Sequence, residues 1–489
     1  MDAITITAGV EIGKGQFENF EQLTGAVYRM AMSFGQEVMR RALEARDEEI
    51  REERDKKRYR CKGKRKTCLK TKLGEVEYER NVYEDRAVTE ELRYVYLLDE
   101  ELQIDKVGLM TADMCQLIAG MVCENSYRGA ARAISDATGQ RVTAQGVWNV
   151  VQELGEKRQE QIERYVELNE AHQGPGCVES KILYEENDGI WLNLQGKDRK
   201  EYGKSREMKE GIAYDGVIWE GGKDGKQRRT LDCKVAHASF EKAEDFHKSK
   251  EGVIASRFDV EAIEVRVTNG DGAGWVQKSE GKNNLPVLDV FHRNRKLVEC
   301  VKNQEIRQNL QKLLYNGKIE ELLDCIEAYS NSVEDEDEKK GFQELLKYYR
   351  ENKDALTSYY DRGIEIPETR NPGVIHHARL GSMESNIFTL IGNRMKGRRA
   401  CWSVRGGQNL ASLLCLRHTT GFEDLFTMPS PPVEEKVEEE ADTGAPFSAA
   451  EVPETEGKGN ECYKRASLPN IPWLKAFTDF LPFSSLHIH

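Results

Sequence analysis

Three carboxylates stand in unlike settings along this chain: Asp188 in ILYEENDGIWLNLQG, Asp271 in IEVRVTNGDGAGW and Glu384 in GSMESNIFTLIGNRMKGRRACW. The first two follow or interrupt apolar, β-branched runs. The third opens a helical pattern rich in Arg and Lys. Hard divalent cations prefer carboxylate oxygens, whereas sets of His and Cys favour zinc. Two such ions about 3.5–4 Å apart activate an attacking oxygen, stabilise a leaving oxygen and shield a phosphate, the chemistry of phosphodiester cleavage and strand transfer. A strand gives Asp188 a rigid mount. Gly270 and Gly272 let backbone approach metal or substrate beside Asp271. Taken singly, an Asp in NDG or NGDG is ordinarily a turn residue, and a Glu near a helix start ordinarily complements the helix dipole at the surface. The chemistry requires that the three meet.

The elements that must position them read as follows. Residues 17–58 have helical spacing of apolar side chains, and TCLKTKLGEVEYERNVYED reads as a hairpin. Together they make an N-terminal region, 1–104. Residues 105–175 are helical. In SYRGAARAISDATGQRVTAQGVWNVVQEL, Gly139 supplies a turn and Thr143 caps a second helix, the spacing of a helix-turn-helix whose second helix enters a major groove. Arg128, Arg141, Gln145 and Asn149 are its candidate contacts. After the break at QGPG, three strands in tandem, a helix, a further strand and a strand running into a helix fill 176–300. That order is the order of a ribonuclease H-like α/β core. A helical insertion, 301–375, separates it from its closing helix, 376–426. Residues 427–489 are acidic and poor in apolar side chains, the composition of a disordered tail.

The 489 residues carry 38% hydrophobic and 32% charged side chains, with a net charge of −13. That total hides segregation: Arg51–Lys72 and Arg394–Arg405 are strongly basic, while SVEDEDEKK and the tail hold much of the acid. Binding to phosphate depends on local field rather than on the sum. Arg394, Lys396, Arg398 and Arg399 are candidate phosphate contacts. A solvated surface is the ordinary reading of either basic run. The eleven cysteines form no CxxC pair, which points to reduced thiols in a cytoplasmic setting. Apolar runs are too short to span a bilayer.

The combination DGIWLNLQGK, NGDGAGW, LDVFHRNR and GSMESNIFTLIGNRMKGRRACWS with GGQNLASLLCL resembles the ISLre-type bacterial insertion-sequence transposases, relatives of the Mutator-like transposases. The resemblance runs to about Leu416, and the tail after Phe426 departs from it. It implies a DDE triad of Asp188, Asp271 and Glu384 holding Mg²⁺ or Mn²⁺, two ions in all. It also implies a D-x-x-H element, Asp289 to His292, whose imidazole supports the active site. The partners implied are double-stranded DNA, as terminal inverted repeats and target, and further copies of the chain, at the bacterial nucleoid. Two rival classes remain open: a DNA-binding regulator without catalysis, and a metal-dependent nuclease without strand transfer.

Overall fold

A computed structural model describes residues 18–87, 93–104, 106–221, 227–276, 283–426 and 429–430. Of the expected tail, 427–489, all but residues 429–430 lie outside the described residues.

The chain opens on α1 (Phe20–Glu53), capped by the Asn19 side chain, which accepts from the Gln22 amide. The expected hairpin follows as β1 (Tyr59–Thr71) and β2 (Gly74–Asp85), paired antiparallel. Then come β3 (Arg93–Val95), α2 (Leu97–Glu101), β4 (Lys106–Val107) and β5 (Met110–Thr111), giving a sheet of order β3-β2-β1-β5-β4. Ile50, Leu69, Val76, Tyr78 and Leu98 form its core against α1.

Next are α3 (Ala112–Glu124), α4 (Tyr127–Thr138) and α5 (Ala144–Glu170). The turn signals expected at Gly139 and Thr143 operate as written. Ser126 caps α4, Gly139 ends it with φ 68°, and the Thr143 hydroxyl accepts from the Gly146 amide to start α5. The second helix runs on to Glu170, within the stretch expected to be helical, with Ile162 packed in the cluster of Val253 and Ile254 and Leu168 buried.

The central sheet is built from β6 (Ile182–Asn193), β7 (Ser205–Tyr214), β10 (Val235–Ser239), β11 (Val265–Gly270) and β12 (Asn284–Leu288) in the order β10-β7-β6-β11-β12. Between β6 and β7 lies α6 (Gly196–Tyr202); β8 (Val217–Gly221) and β9 (Gln227–Leu231) leave the sheet as a separate hairpin arm, where the sequence suggested one continuous meander. α7 (Ala243–Ala255) precedes β11. β6 pairs antiparallel with β7 and parallel with β11; β7 pairs antiparallel with β10, and β11 parallel with β12.

β6 is covered on both faces, which is why its sequence is not a clean alternation. Ile182, Tyr184 and Ile190 join the large core under the C-terminal helices, while Leu183 joins Val253 and Ile254 of α7. After β12 come α8 (Val290–Cys300), α9 (Gln304–Tyr315), α10 (Ile319–Ser332), α11 (Glu336–Glu351) and α12 (Lys353–Leu356). From α9 on these are the expected insertion, with a core of its own around Leu310, Leu322, Phe342 and Tyr349. The chain then returns to the sheet through α13 (Met383–Asn386), a π-helical stretch Ile387–Gly392, α14 (Asn393–Met395) and α15 (Val404–Arg417).

Candidate active site

The sequence EEND in the middle strand sets the site. Glu185, Glu186 and Asn187 are all buried, and successive side chains point to opposite faces. A buried carboxylate needs its own partners, and each has them. On the α7 face, Glu185 takes Lys250 Nζ at 2.6 Å and Arg266 Nη1 at 3.0 Å, and Arg266 also makes a two-pronged pair with Glu251 at 2.6 and 2.8 Å. Two acids and two bases thus neutralise one another out of water.

On the other face, Glu186 receives the chain end that starts α13. Its carboxylate accepts from the backbone N–H groups of Gly381 (2.8 Å), Ser382 (2.9 Å) and Met383 (3.2 Å), from Asn269 Nδ2 (2.9 Å) and from the Tyr214 hydroxyl (2.6 Å). Donors exposed at a helix start are satisfied by an anion that also complements the dipole. Glu384 is the second residue of that helix, and its side chain is exposed. The helix passes at once into its π-helical stretch, a distortion that recurs at functional sites.

Asp188 lies two residues on from Glu186 and on the same face. On the neighbouring strand Asn269 is paired with Glu186, so Asp271, just past the end of β11, stands at the level of Asp188. Asp289 caps α8: its Oδ1 accepts from the amides of Phe291 (2.9 Å) and His292 (3.3 Å), and its Oδ2 accepts from Asn269 Nδ2 (3.0 Å). This cap aims His292, whose Nε2 lies 3.6 Å from Asp188 Oδ2. The contact with Asp188 raises the imidazole pKa, burial opposes it, and the charges of Asp289 and Asp271 add to the rise.

More acid surrounds this pair. Glu210, directly across from Asp188 on β7, is fully buried and neither of its carboxylate oxygens has a hydrogen-bond partner. Burial and the Asp188 charge push its pKa well up. Glu207 is raised as well, by burial and by Asp271 and Asp188, against the opposing charge of Lys209. Among the described residues no Lys or Arg forms an ion pair with Asp188, Glu207, Glu210, Asp271 or Asp289. Negative charge is therefore collected with little compensation: His292 lies at Asp188, and Lys209 and Lys234 act on Glu207 and Glu210 only through their charge, without an ion-pair contact. Asp188, Asp271 and Glu384 do not form a closed cage, however. Among the described residues, the one group of three His, Cys, Asp or Glu ligand atoms all within 4.8 Å of one another is Asp215, Asp232 and Cys233. There Arg370 already fills the cation's place, with Nε 3.1 Å from Asp215 and Nη2 2.6 Å from Asp232.

The glycines at Asp271 act differently from the sequence expectation. A Cβ on Gly270 would lie 1.7 Å from Val276 Cγ1, and one on Gly272 (φ +89°) 2.8 Å from Asn352 Oδ1. The room is taken by the protein itself. Tyr348 of α11 adds a hydrogen bond to the Asp271 carbonyl at 2.6 Å, tying the insertion to the site.

Of the expected nucleic-acid contacts, Arg128 on α4, Arg141 in the turn after it, and Gln145 and Asn149 on α5 are exposed, and Gln145 donates to Asn149 at 2.9 Å. Trp148 is exposed between them. Lys396 and Arg399 are exposed, while the Arg398 side chain lies outside the described residues. Arg394 is turned inward: it donates to the Val122 carbonyl at 2.8 Å and lies against the rings of Tyr127 and Trp402. Its guanidinium joins the C-terminal segment to α3 and α4. In the other basic run, Arg60, Lys62, Lys64, Arg65 and Lys66 are exposed on β1, with Lys62 and Lys64 paired to Glu84 and Glu48. Sequence reasoning passed over Glu186, Glu210, Asn269 and Tyr348. The available signal was two adjacent acids inside an otherwise apolar strand, since acids are seldom fully buried without a partner.

Fold and site define a mixed α/β protein with an acid cluster where β11 ends beside the middle of β6 in its central sheet. A family profile described as an uncharacterised protein family, UPF0236, matches residues 15–423, and the chain belongs to that family. It is similar to a UPF0236 protein of Caldanaerobacter subterraneus subsp. tengcongensis, 26% identical over 398 residues, covering 80% of this chain and 79% of the relative. Another from the same strain is 25% identical over 399 residues with 80% and 79% covered. A UPF0236 protein in the vanSb 3′ region of Streptococcus gallolyticus is 22% identical over 364 residues, 72% of each. No helix among the described residues is long and apolar enough to cross a membrane.

Proposed function

We propose that this chain is a DDE-type DNA transposase with a ribonuclease H-like catalytic core, cutting the terminal inverted repeats of an insertion sequence and joining them to target DNA. The observation that carries this reading is one of register. Asp188 and Asp271 stand at one level on adjacent parallel strands, and the helix bearing Glu384 is tethered to Glu186, two residues from Asp188. The strand order, with three antiparallel strands and two parallel ones added beyond the first, is the order such a core has. The name of one relative joins eleven designations from a single strain, the pattern of a sequence present in many copies.

An acid cluster without an ion-paired Lys or Arg fits a hard cation in its donor chemistry. Asp188, Asp271 and Glu384 would hold Mg²⁺ or Mn²⁺, which when bound supplies activation of the attacking oxygen and shielding of the phosphate. The chain's own residues do the rest. Asp289 orients His292, His292 balances part of the Asp188 charge, and Glu186 fixes the start of the Glu384 helix. The exposed residues of α4 and α5 would read the element end, and Lys396 and Arg399 would meet phosphates beside the acids. Two ends must be handled together, so a homo-oligomer is expected.

The test is cleavage of a duplex carrying the element end with Mg²⁺ or Mn²⁺, followed by joining of a pre-cut end to plasmid. Asp188→Asn, Asp271→Asn and Glu384→Gln should each abolish both steps and leave DNA binding intact. Cleavage retained in any of them sinks the site assignment. Cleavage without joining favours a nuclease, and binding without either favours a regulator.

A further inference from the structure

Next to the Glu384 helix is a second cavity, of about 690 Å³, whose lining includes Arg229, Lys234, Arg257, His418, Ser382 and Ser385. No Asp or Glu is among its described lining residues, although the chain as a whole is acidic. Its three cations, Arg229, Lys234 and Arg257, come from separate places, β9, the turn before β10 and the end of α7, and His418 joins them from the end of α15. Each is held by neutral groups. Lys234 Nζ donates to Asn386 Oδ1 at 3.1 Å, Arg229 to the Arg379 carbonyl at 3.2 Å and to the Ser382 hydroxyl, and Arg257 to Cys233 Sγ at 3.7 Å. Among the described residues none of the three forms an ion pair with a carboxylate, although the charge of buried Glu210 acts on Lys234, whereas Arg370, just behind Cys233, forms two. Three like charges around one concavity repel, and the repulsion is relieved when an anion sits among them. Burial pushes the pKa of Lys234 down, and burial together with the Lys234 charge pushes that of His418 down.

The cavity and the acid cluster share one helix. Ser382 and Ser385 line the cavity, and Glu384 lies between them. We infer that this cavity seats a backbone phosphate of the DNA strand that crosses the Glu384 helix, holding the strand while the acid cluster acts on it. The inference rests on the DNA-transposase reading and adds to it the residues that grip the strand. Arginine and lysine with convergent hydroxyl groups suit a phosphodiester, and no base-reading geometry is needed.

The experiment uses the full chain and a short fluorescein-labelled single-stranded oligonucleotide, with anisotropy read across a salt series. Lys234→Gln and Arg257→Gln together should weaken binding roughly tenfold or more, and the slope of log affinity against log salt should fall by roughly 0.7 for each charge removed. Lys234→Arg should restore most of the loss at that position. Arg229→Gln, on an exposed strand, serves if the Arg257 variant fails to fold by circular dichroism. Wild-type affinity and slope in the folded variants overturn the inference. So does loss of inorganic phosphate binding, measured by calorimetry, with oligonucleotide binding unchanged; that would mark a free-phosphate site. Metal-dependent cleavage by the unaltered chain is read in parallel. If variants lose the strand and the unaltered chain never cleaves, the seat stands and the transposase reading falls. If cleavage and binding are both normal in the variants, the reverse holds.

Discussion

Replacing Glu186 by Gln should loosen the start of the Glu384 helix without unfolding the sheet. In the native chain this carboxylate accepts from three consecutive backbone N–H groups, 381 to 383, at 2.8–3.2 Å, and the Glu186 side chain is fully buried. Glutamine keeps one acceptor oxygen but loses the charge, and it turns an NH₂ group toward donors. A hydrogen bond to a charged group contributes about 1.5–3 kcal/mol. Weakening two of the three therefore costs about 3 kcal/mol locally. Local opening then becomes easier by roughly 100-fold, at about 1.4 kcal/mol per factor of ten. Hydrogen–deuterium exchange of peptides covering 378–392 reads this directly. The same peptides in Glu384→Gln should exchange as in the native chain, because that side chain is exposed and such changes stay within about 0.5 kcal/mol. Cleavage, if the proposed function holds, should fall in both variants. Native exchange rates in Glu186→Gln would refute the tether, whatever the activity.

Three further outcomes follow from the same geometry. Lys250→Met strands Glu185 and should destabilise the core by about 3–5 kcal/mol, visible as a lowered urea midpoint; an unchanged midpoint would mean that Arg266 alone satisfies the buried acid. Gly270→Ala places a methyl 1.7 Å from Val276 and should cost about 1–3 kcal/mol, with Val276→Ala recovering part of it. Strict additivity of the two changes would show that they do not touch. His292 has a raised pKa in the folded chain, so its contribution to stability is complete below about 6.5 and is lost as pH rises through the folded value. Its NMR titration midpoint should lie above that of a free imidazole and drop in Asp188→Asn; equal midpoints in the two proteins would exclude the contact.

Much of the local structure was legible because it is written in short-range rules. Gly139 and Thr143 mark helix ends through a turn and a cap that involve only neighbouring residues, and the structure uses both. The insertion was visible as amphipathic helices that interrupt an α/β pattern, and it has a core of its own. The β8–β9 arm was not distinguishable from a continuous meander, since antiparallel strands joined by short polar turns read alike whether they stay in one sheet or leave it. Arg394 was expected at phosphates from its basic neighbourhood; a run of charge does not reveal which members find aromatic faces and a free carbonyl inside.

The sequence by itself determined which residues could bear the chemistry, because residue type and strand or helix periodicity are local properties: Asp188 in a strand, Asp271 at a strand end, Asp289 and His292 at a helix start. Only the tertiary structure decided their company. Parallel pairing of β6 with β11 brings positions 83 apart in the chain to one level, and the docking of residues 381–383 on Glu186 joins segments nearly 200 residues apart. No local pattern encodes such pairings. They arise where a buried carboxylate, an unsatisfied helix end and two parallel strands each lack partners nearby and find them in one another.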